Sequence, residues 1–114
     1  MSAPKEILNR PVAASDCPLE SAVAVIGGRW KPIILFYLVE NALRFSELKR
    51  AIPNVSDRML TRSLKELERD GLIQRAVFAK VPLRAEYSLT SSGKGLIPVL
   101  NAMSEWGQEH WNMK

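Results

Sequence analysis

The sequence predicts a mainly α-helical domain with a small β-hairpin wing, in the order of a winged helix-turn-helix. Three observations point there. Residues 46–52 and 56–70 read as two helices with Pro53-Asn54 between them. Residues 73–79 and 84–89 read as two extended runs joined by Lys80-Val81-Pro82-Leu83. Residues 44–84, which hold both helices, the first run and the joining tip, carry ten basic and five acidic side chains, against four and four before them and two and three after. The excess behind the net charge of +4 therefore lies in one module, the footprint expected of a surface that meets phosphates.

Taken in order, residues 1–16 hold Pro4, Pro11 and Ala-Ala-Ser-Asp without periodicity and are expected to form a flexible arm, with one domain over 17–114. A first helix is expected at Asp16-Cys17-Pro18, with Asp16 as cap and the proline in the first turn, where its missing N–H costs nothing. Leu19, Ala22, Val23 and Ile26 then recur at helical spacing until Gly27-Gly28. Residues 30–41 are apolar almost all round, with Pro32 in the first turn. Such a helix is expected to be buried at the centre of the core. Ser46 is expected to cap the next one. In the helix at 56–70, Leu60, Leu64 and Leu67 share a face on which Ser63 permits close approach. Ser56 or Asp57 is the natural cap, and Gly71 the natural stop.

In the second extended run, Ala85, Tyr87 and Leu89 alternate with Arg84, Glu86 and Ser88, the period of a half-buried strand. Thr90-Ser91-Ser92 open a last helix that Pro98 is expected to kink. Leu96, Leu100, Met103 and Trp106 run along one side of it, and Trp111 extends them. This is more apolar surface than a peripheral helix of a small domain needs. It either packs back on its own domain or forms a two-fold dimer seam with the 19–26 helix. We take the seam as the expectation, made by Leu19, Val23, Leu96, Leu100, Met103 and Trp106. Two copies of the module would then meet half-sites about 34 Å apart.

Several classes are excluded. No apolar run approaches the roughly 20 residues of a membrane span, and Lys5, Glu6, Asn9 and Arg10 interrupt the N-terminus before any signal-peptide core develops. One cysteine leaves no internal disulfide, and one cysteine with one histidine makes no zinc finger. No nucleophile–base or paired-carboxylate arrangement stands out, and Gly27-Gly28 lacks the length and Lys-Ser/Thr of a phosphate loop. The expectation is a cytoplasmic protein that is not an enzyme and needs no metal or cofactor.

The expected partner is double-stranded DNA. Arg58, Thr61 and Arg62 lie in the N-terminal half of the second helix and are long enough to reach base edges, Arg being suited to guanine. Ser56 and Lys65 are expected on phosphates. Glu66, Glu68 and Asp70 would repel DNA, so the far end of that helix should turn away. Lys80 and Arg84 flank the hairpin tip within reach of a backbone or minor groove. Ser46 and Arg44 mark a helix start that offers N–H groups and charge to a phosphate. Arg29 and Lys31 are weaker candidates because Trp30 between them belongs to the core. Two other classes stay open, a non-specific architectural DNA binder and a protein-interaction adaptor.

Cys17 sits where a helix N-terminus favours the reactive thiolate, while Asp16 and Glu20 disfavour a second negative charge. It is either a redox-sensing residue or a small, partly buried one. A reversible oxidised form would need a second copy's thiol or a small thiol.

Cys17-Pro18-Leu19-Glu20 and Ile26-Gly27-Gly28-Arg29-Trp30-Lys31, with Arg44-Phe45-Ser46-Glu47-Leu48, Met59-Leu60-Thr61 and residues 64–72, resemble the HxlR-type family of bacterial winged-helix regulators. Val81-Pro82, Glu86-Tyr87-Ser88-Leu89-Thr90, Gly93, Pro98-Val99-Leu100 and Glu105-Trp106-Gly107 continue the likeness, which covers about residues 17–111. The resemblance implies a homodimer joined by helices from both ends of the chain. It implies a repressor or activator of nearby genes, often for detoxification of electrophiles, and a small electrophile or ligand as effector. It also implies sensing at Cys17, where several members use a cysteine. Where the family commonly has two prolines at the wing tip, this chain has Pro82-Leu83, which should be less stiff.

Overall fold

The computed structural model describes residues 17–111; the expected arm and the Asp16 cap lie outside them. Helix α1 (Pro18–Ile26) starts with its proline in the first turn, and Cys17 occupies the cap position without a side-chain capping bond. Gly27 ends it. Helix α2 (Lys31–Tyr37) is shorter than the apolar run that predicts it. Its last turn loosens into three-residue hydrogen bonds at Leu38 and Val39, and Phe36 and Tyr37 face outward. The continuous apolar run hid that boundary, because the inward residues Ile34, Leu35 and Leu38 and the outward ones are equally hydrophobic.

Helix α3 (Phe45–Ala51) begins one residue before the expected Ser46 cap. Arg44 takes the cap position, and its N–H donates to Glu47 Oε1 at 2.8 Å. Ser46 is thus inside the helix. The turn that follows passes through Asn54 at φ +70° into α4 (Asp57–Arg69), where the Ser56 hydroxyl accepts from the Met59 N–H at 3.0 Å. Leu60, Leu64 and Leu67 are buried along one stripe, with Ser63 beside them. A buried leucine contributes roughly 1.5–3 kcal/mol, so this stripe fixes which face α4 shows to solvent.

Strands β1 (Ile73–Lys80) and β2 (Leu83–Leu89) pair antiparallel from Ile73–Leu89 to Lys80–Leu83. The pairing slips between Val77 and Ala79, leaving Phe78 in a bulge. The expected four-residue tip narrows to Val81-Pro82, joined by a cis peptide. One further pair, Leu43 with Tyr87, adds a rung on the other edge of β2 and seats Arg44 beside the wing.

The expected single last helix is instead two. Helix α5 (Ser91–Lys94) ends at Gly95, and α6 (Ile97–His110) restarts with Pro98 in its first turn. The proline marks a new helix rather than a kink, as its missing N–H and fixed φ allow at a start. Leu100 closes the core with Ile34, Leu35, Leu48 and Ile73.

Candidate nucleic-acid interface

The stripe that buries Leu60, Leu64 and Leu67 turns Arg58, Thr61, Arg62 and Lys65 outward together. With Asp57 and Glu66 they line a shallow hollow of about 510 Å³. All four are exposed, and Ser56 sits exposed at the cap of the same helix. No side-chain hydrogen bond or ion pair within the described residues engages Arg58, Thr61 or Lys65.

Arg62 is held differently. Its Nε donates to Glu66 Oε2 at 3.3 Å, while Lys31 Nζ lies 2.9 Å from Glu66 Oε1. The Lys31 ammonium, and after it the Arg62 guanidinium, hold the Glu66 carboxyl below its ordinary value of 4.5. Glu66 was expected only to repel DNA; here two cations surround it. Lys31, a weaker candidate in the sequence, has a side chain that is 13% exposed and directed at Glu66. Arg29, the other weak candidate, lies over the Trp30 ring at 4.5 Å from its centroid. At the far end of α4, Arg69 pairs with its neighbour Asp70 at 3.1 Å.

A second concavity, of about 300 Å³, lies between α3 and the wing. It brings Arg44 and Ser46 together with Arg75 and Tyr87. Arg75 did not stand out in the sequence. Its signal was strand alternation, which places it opposite Tyr87 and on the side of the hairpin that faces α3. Arg44 also lies 3.7 Å from Glu47, whose carboxyl is lowered first by the Arg44 backbone N–H. Arg84 belongs to an adjoining hollow with Arg44, Glu47, Phe78 and Glu86. Lys80 is exposed at the tip and joins neither group. The candidate DNA residues thus fall into three places: the α4 face, the α3–wing cleft and the tip.

The seam residues divide. Leu19, Val23, Met103 and Trp106 are exposed, each by more than half of its surface. Leu100 is 3% exposed and belongs to the protomer's own core, and Leu96 packs partly buried against that core. The regular spacing in α6 concealed this because helix rotation alone does not tell which apolar face meets the domain. Trp106 stacks on His110 with ring centroids 4.9 Å apart. Cys17 is partly buried at the head of α1. No helix of the described residues is long and apolar enough to cross a membrane.

The model of the HxlR-like helix-turn-helix family matches residues 25–114. An uncharacterized HTH-type transcriptional regulator of Methanothermobacter thermautotrophicus is 53% identical over 92 residues, 81% of this chain and 70% of that one. Among solved structures, the redox regulator HypR in its reduced form is similar with a TM-score of 0.81 and 42% identity, over 84% of this chain and 95% of that chain. The reduced form of the transcriptional regulator YodB from Bacillus subtilis follows at 0.73 and 34%, over 86% and 97%.

Proposed function

Because this chain belongs to the HxlR-like helix-turn-helix family, and so is a DNA-binding transcriptional regulator rather than an enzyme, we propose that it acts as a homodimer on a palindromic operator. The observation that carries this reading is the α4 face. Arg58, Thr61, Arg62 and Lys65 stand together on solvent while the opposite stripe is locked into the core. A recognition helix needs that division, since only side chains free of the core reach base edges. Arg58, Thr61 and Arg62 read bases, and Lys65 and Ser56 hold phosphates. Arg44, Ser46 and the newly placed Arg75 grip the backbone from the α3–wing cleft, and Lys80 and Arg84 reach it from the wing.

The two protomers meet through α1 and α6, using Leu19, Val23, Met103 and Trp106. Cys17 at the head of α1 is the sensing residue of this reading. Support comes from its position on a seam helix and from the relatives, HypR being a redox regulator solved in reduced and oxidised forms and YodB having a quinone-bound form. The chemistry is either addition of the thiolate to a quinone or loss of two electrons and two protons from two thiols to an oxidant such as diamide. The second route joins Cys17 to Cys17 of the partner subunit.

Selection of bound fragments from random duplex DNA, with and without diamide or quinone, tests the whole reading. One palindromic motif lost on treatment and restored by Cys17→Ser is the expected result. A motif indifferent to treatment removes Cys17 from the mechanism. No motif removes specific readout.

A further inference from the structure

Lys31, Glu66 and Arg62 form a chain from the first residue of α2 to the middle of the recognition face. Lys31 Nζ lies 2.9 Å from one oxygen of Glu66, and Arg62 Nε donates to the other at 3.3 Å. Exposure rises along it, from 13% for the Lys31 side chain through 29% for Glu66 to 71% for Arg62. The anchored end is thus largely covered and the free end open to solvent.

We propose that Lys31 and Glu66 are positioning residues for base readout: Lys31 fixes the Glu66 carboxylate, and Glu66 fixes the Arg62 guanidinium so that its outer edge faces the major groove. The inference rests on the specific-readout function proposed above. An unrestrained arginine on a helix surface samples many rotamers and loses that freedom when it contacts a base. Holding Nε leaves the two terminal nitrogens for the paired acceptors O6 and N7 of guanine. Glu66 alone would place a negative charge beside DNA. With Lys31 behind it and Arg62 before it, the group as a whole stays cationic.

Lys31 is held firmly enough for this task. It opens α2 between Trp30, which packs on the core, and Pro32 in the first turn. The core therefore sets where its backbone starts, and the 13% exposure of its side chain limits the room in which the ammonium can move. Helix α2 itself packs against α4, and Ile34 and Leu35 of the one belong to the same core cluster as Leu64 and Leu67 of the other.

The test measures affinity for the operator selected by the wild-type protein and for a scrambled duplex of the same length and composition. The readout is their ratio, since a simple change of net charge moves both affinities together. Lys31→Met is expected to lower the ratio at least about fivefold, the lower end of one bidentate base contact. Lys31→Arg should restore it, and the Lys31→Met effect should vanish in an Arg62→Ala background. Glu66→Gln, which keeps the volume of the side chain, serves if Lys31→Met does not fold. It should raise affinity for the scrambled duplex, by removing a negative charge, and yet lower the ratio. An unchanged ratio in the variant that folds, or an equal Lys31→Met effect with and without Arg62, overturns the proposal. Failure of the wild-type protein to select any operator would instead overturn the specific-readout reading, and this inference with it.

Discussion

The Thr90 hydroxyl donates to the Gly71 carbonyl at 2.5 Å, although the two residues are 19 positions apart. The same oxygen accepts from the Gly93 N–H at 3.1 Å, and the Thr90 N–H donates to the Leu72 carbonyl at 3.0 Å. One residue therefore clasps the end of the recognition helix, the base of the wing and the start of α5. Thr90→Val keeps the shape and removes both hydroxyl bonds. It should cost about 1–3 kcal/mol, lowering Tm by roughly 5–15 °C for a domain of this size. Thr90→Ser should melt close to wild type. Equal melting of Val and wild type would show that the clasp does not stabilise the fold.

Two glycines near this clasp are required for different reasons, and substitution should separate them. Gly71 sits at φ +79° with open space around it, so Gly71→Ala meets only the left-handed backbone cost of about 1–2 kcal/mol. At Gly93 a Cβ would collide with the Leu72 carbonyl oxygen. Neither backbone can yield without breaking the Thr90 bonds. Chemical denaturation should therefore rank Gly93→Ala well below Gly71→Ala in stability.

The order of elements was legible because each carries its own local signal. Pro18 and Pro32 open helices, Ser56 and Thr90 cap them, and alternation marks β2. The recognition face was legible because the Leu60–Leu64–Leu67 stripe fixes its opposite. What was hidden depended on tertiary position. The end of α2 was obscured by an unbroken apolar run, and the break between α5 and α6 was masked by a proline that suits either a kink or a start. The Lys31–Glu66 ion pair was out of reach, since the two residues are 35 positions apart. Arg75 was missed because a basic residue in a short strand looks the same on either face.

Arg58 and Lys65 lie in one hollow but should behave differently on DNA. If Arg58 reads a base as proposed, Arg58→Ala is expected to cost about 1–3 kcal/mol of specificity, relaxing preference at one base pair of each half-site. If Lys65 holds a phosphate as proposed, Lys65→Ala should weaken binding to all sequences alike. It should also lower the slope of log affinity against log salt by about one per protomer. Titrations on matched and mismatched duplexes at several salt concentrations distinguish the two. If Arg58→Ala weakens all duplexes equally, its contact is with the backbone.

Glu66 gives the fold an acid-sensitive element. Its folded value is depressed by Lys31 first and Arg62 second, so its stabilisation is present above the unfolded carboxylate value near 4.5. That stabilisation is lost as pH falls from there through the depressed folded value. Thermal melts of wild type and Glu66→Gln should differ at neutral pH, wild type being the more stable, and converge in acid. A gap that stays constant across that range would mean that the ion pairs add nothing beyond what the amide supplies.

Exposed apolar residues on α1 and α6 are the remaining feature that the domain's own core does not explain. Trp106 keeps 58% of its surface exposed, and Met103 on the same helix and Val23 and Leu19 on α1 are exposed as well. A seam through these residues removes them from water without disturbing the core, whereas Leu100 is already inside that core. The two kinds of residue should therefore fail differently. Met103→Asp and Val23→Asp place a charge in the seam and should give monomers by sedimentation at micromolar concentration. Their affinity for a full palindrome should fall toward that for a half-site, as the second half-site loses its effective concentration. Leu100→Ala instead opens a cavity and should cost about 2–5 kcal/mol of stability, with dimerisation weakened only as far as folding is. A Met103→Asp protein that still sediments as a dimer would place the seam elsewhere and leave the α1–α6 face for another partner.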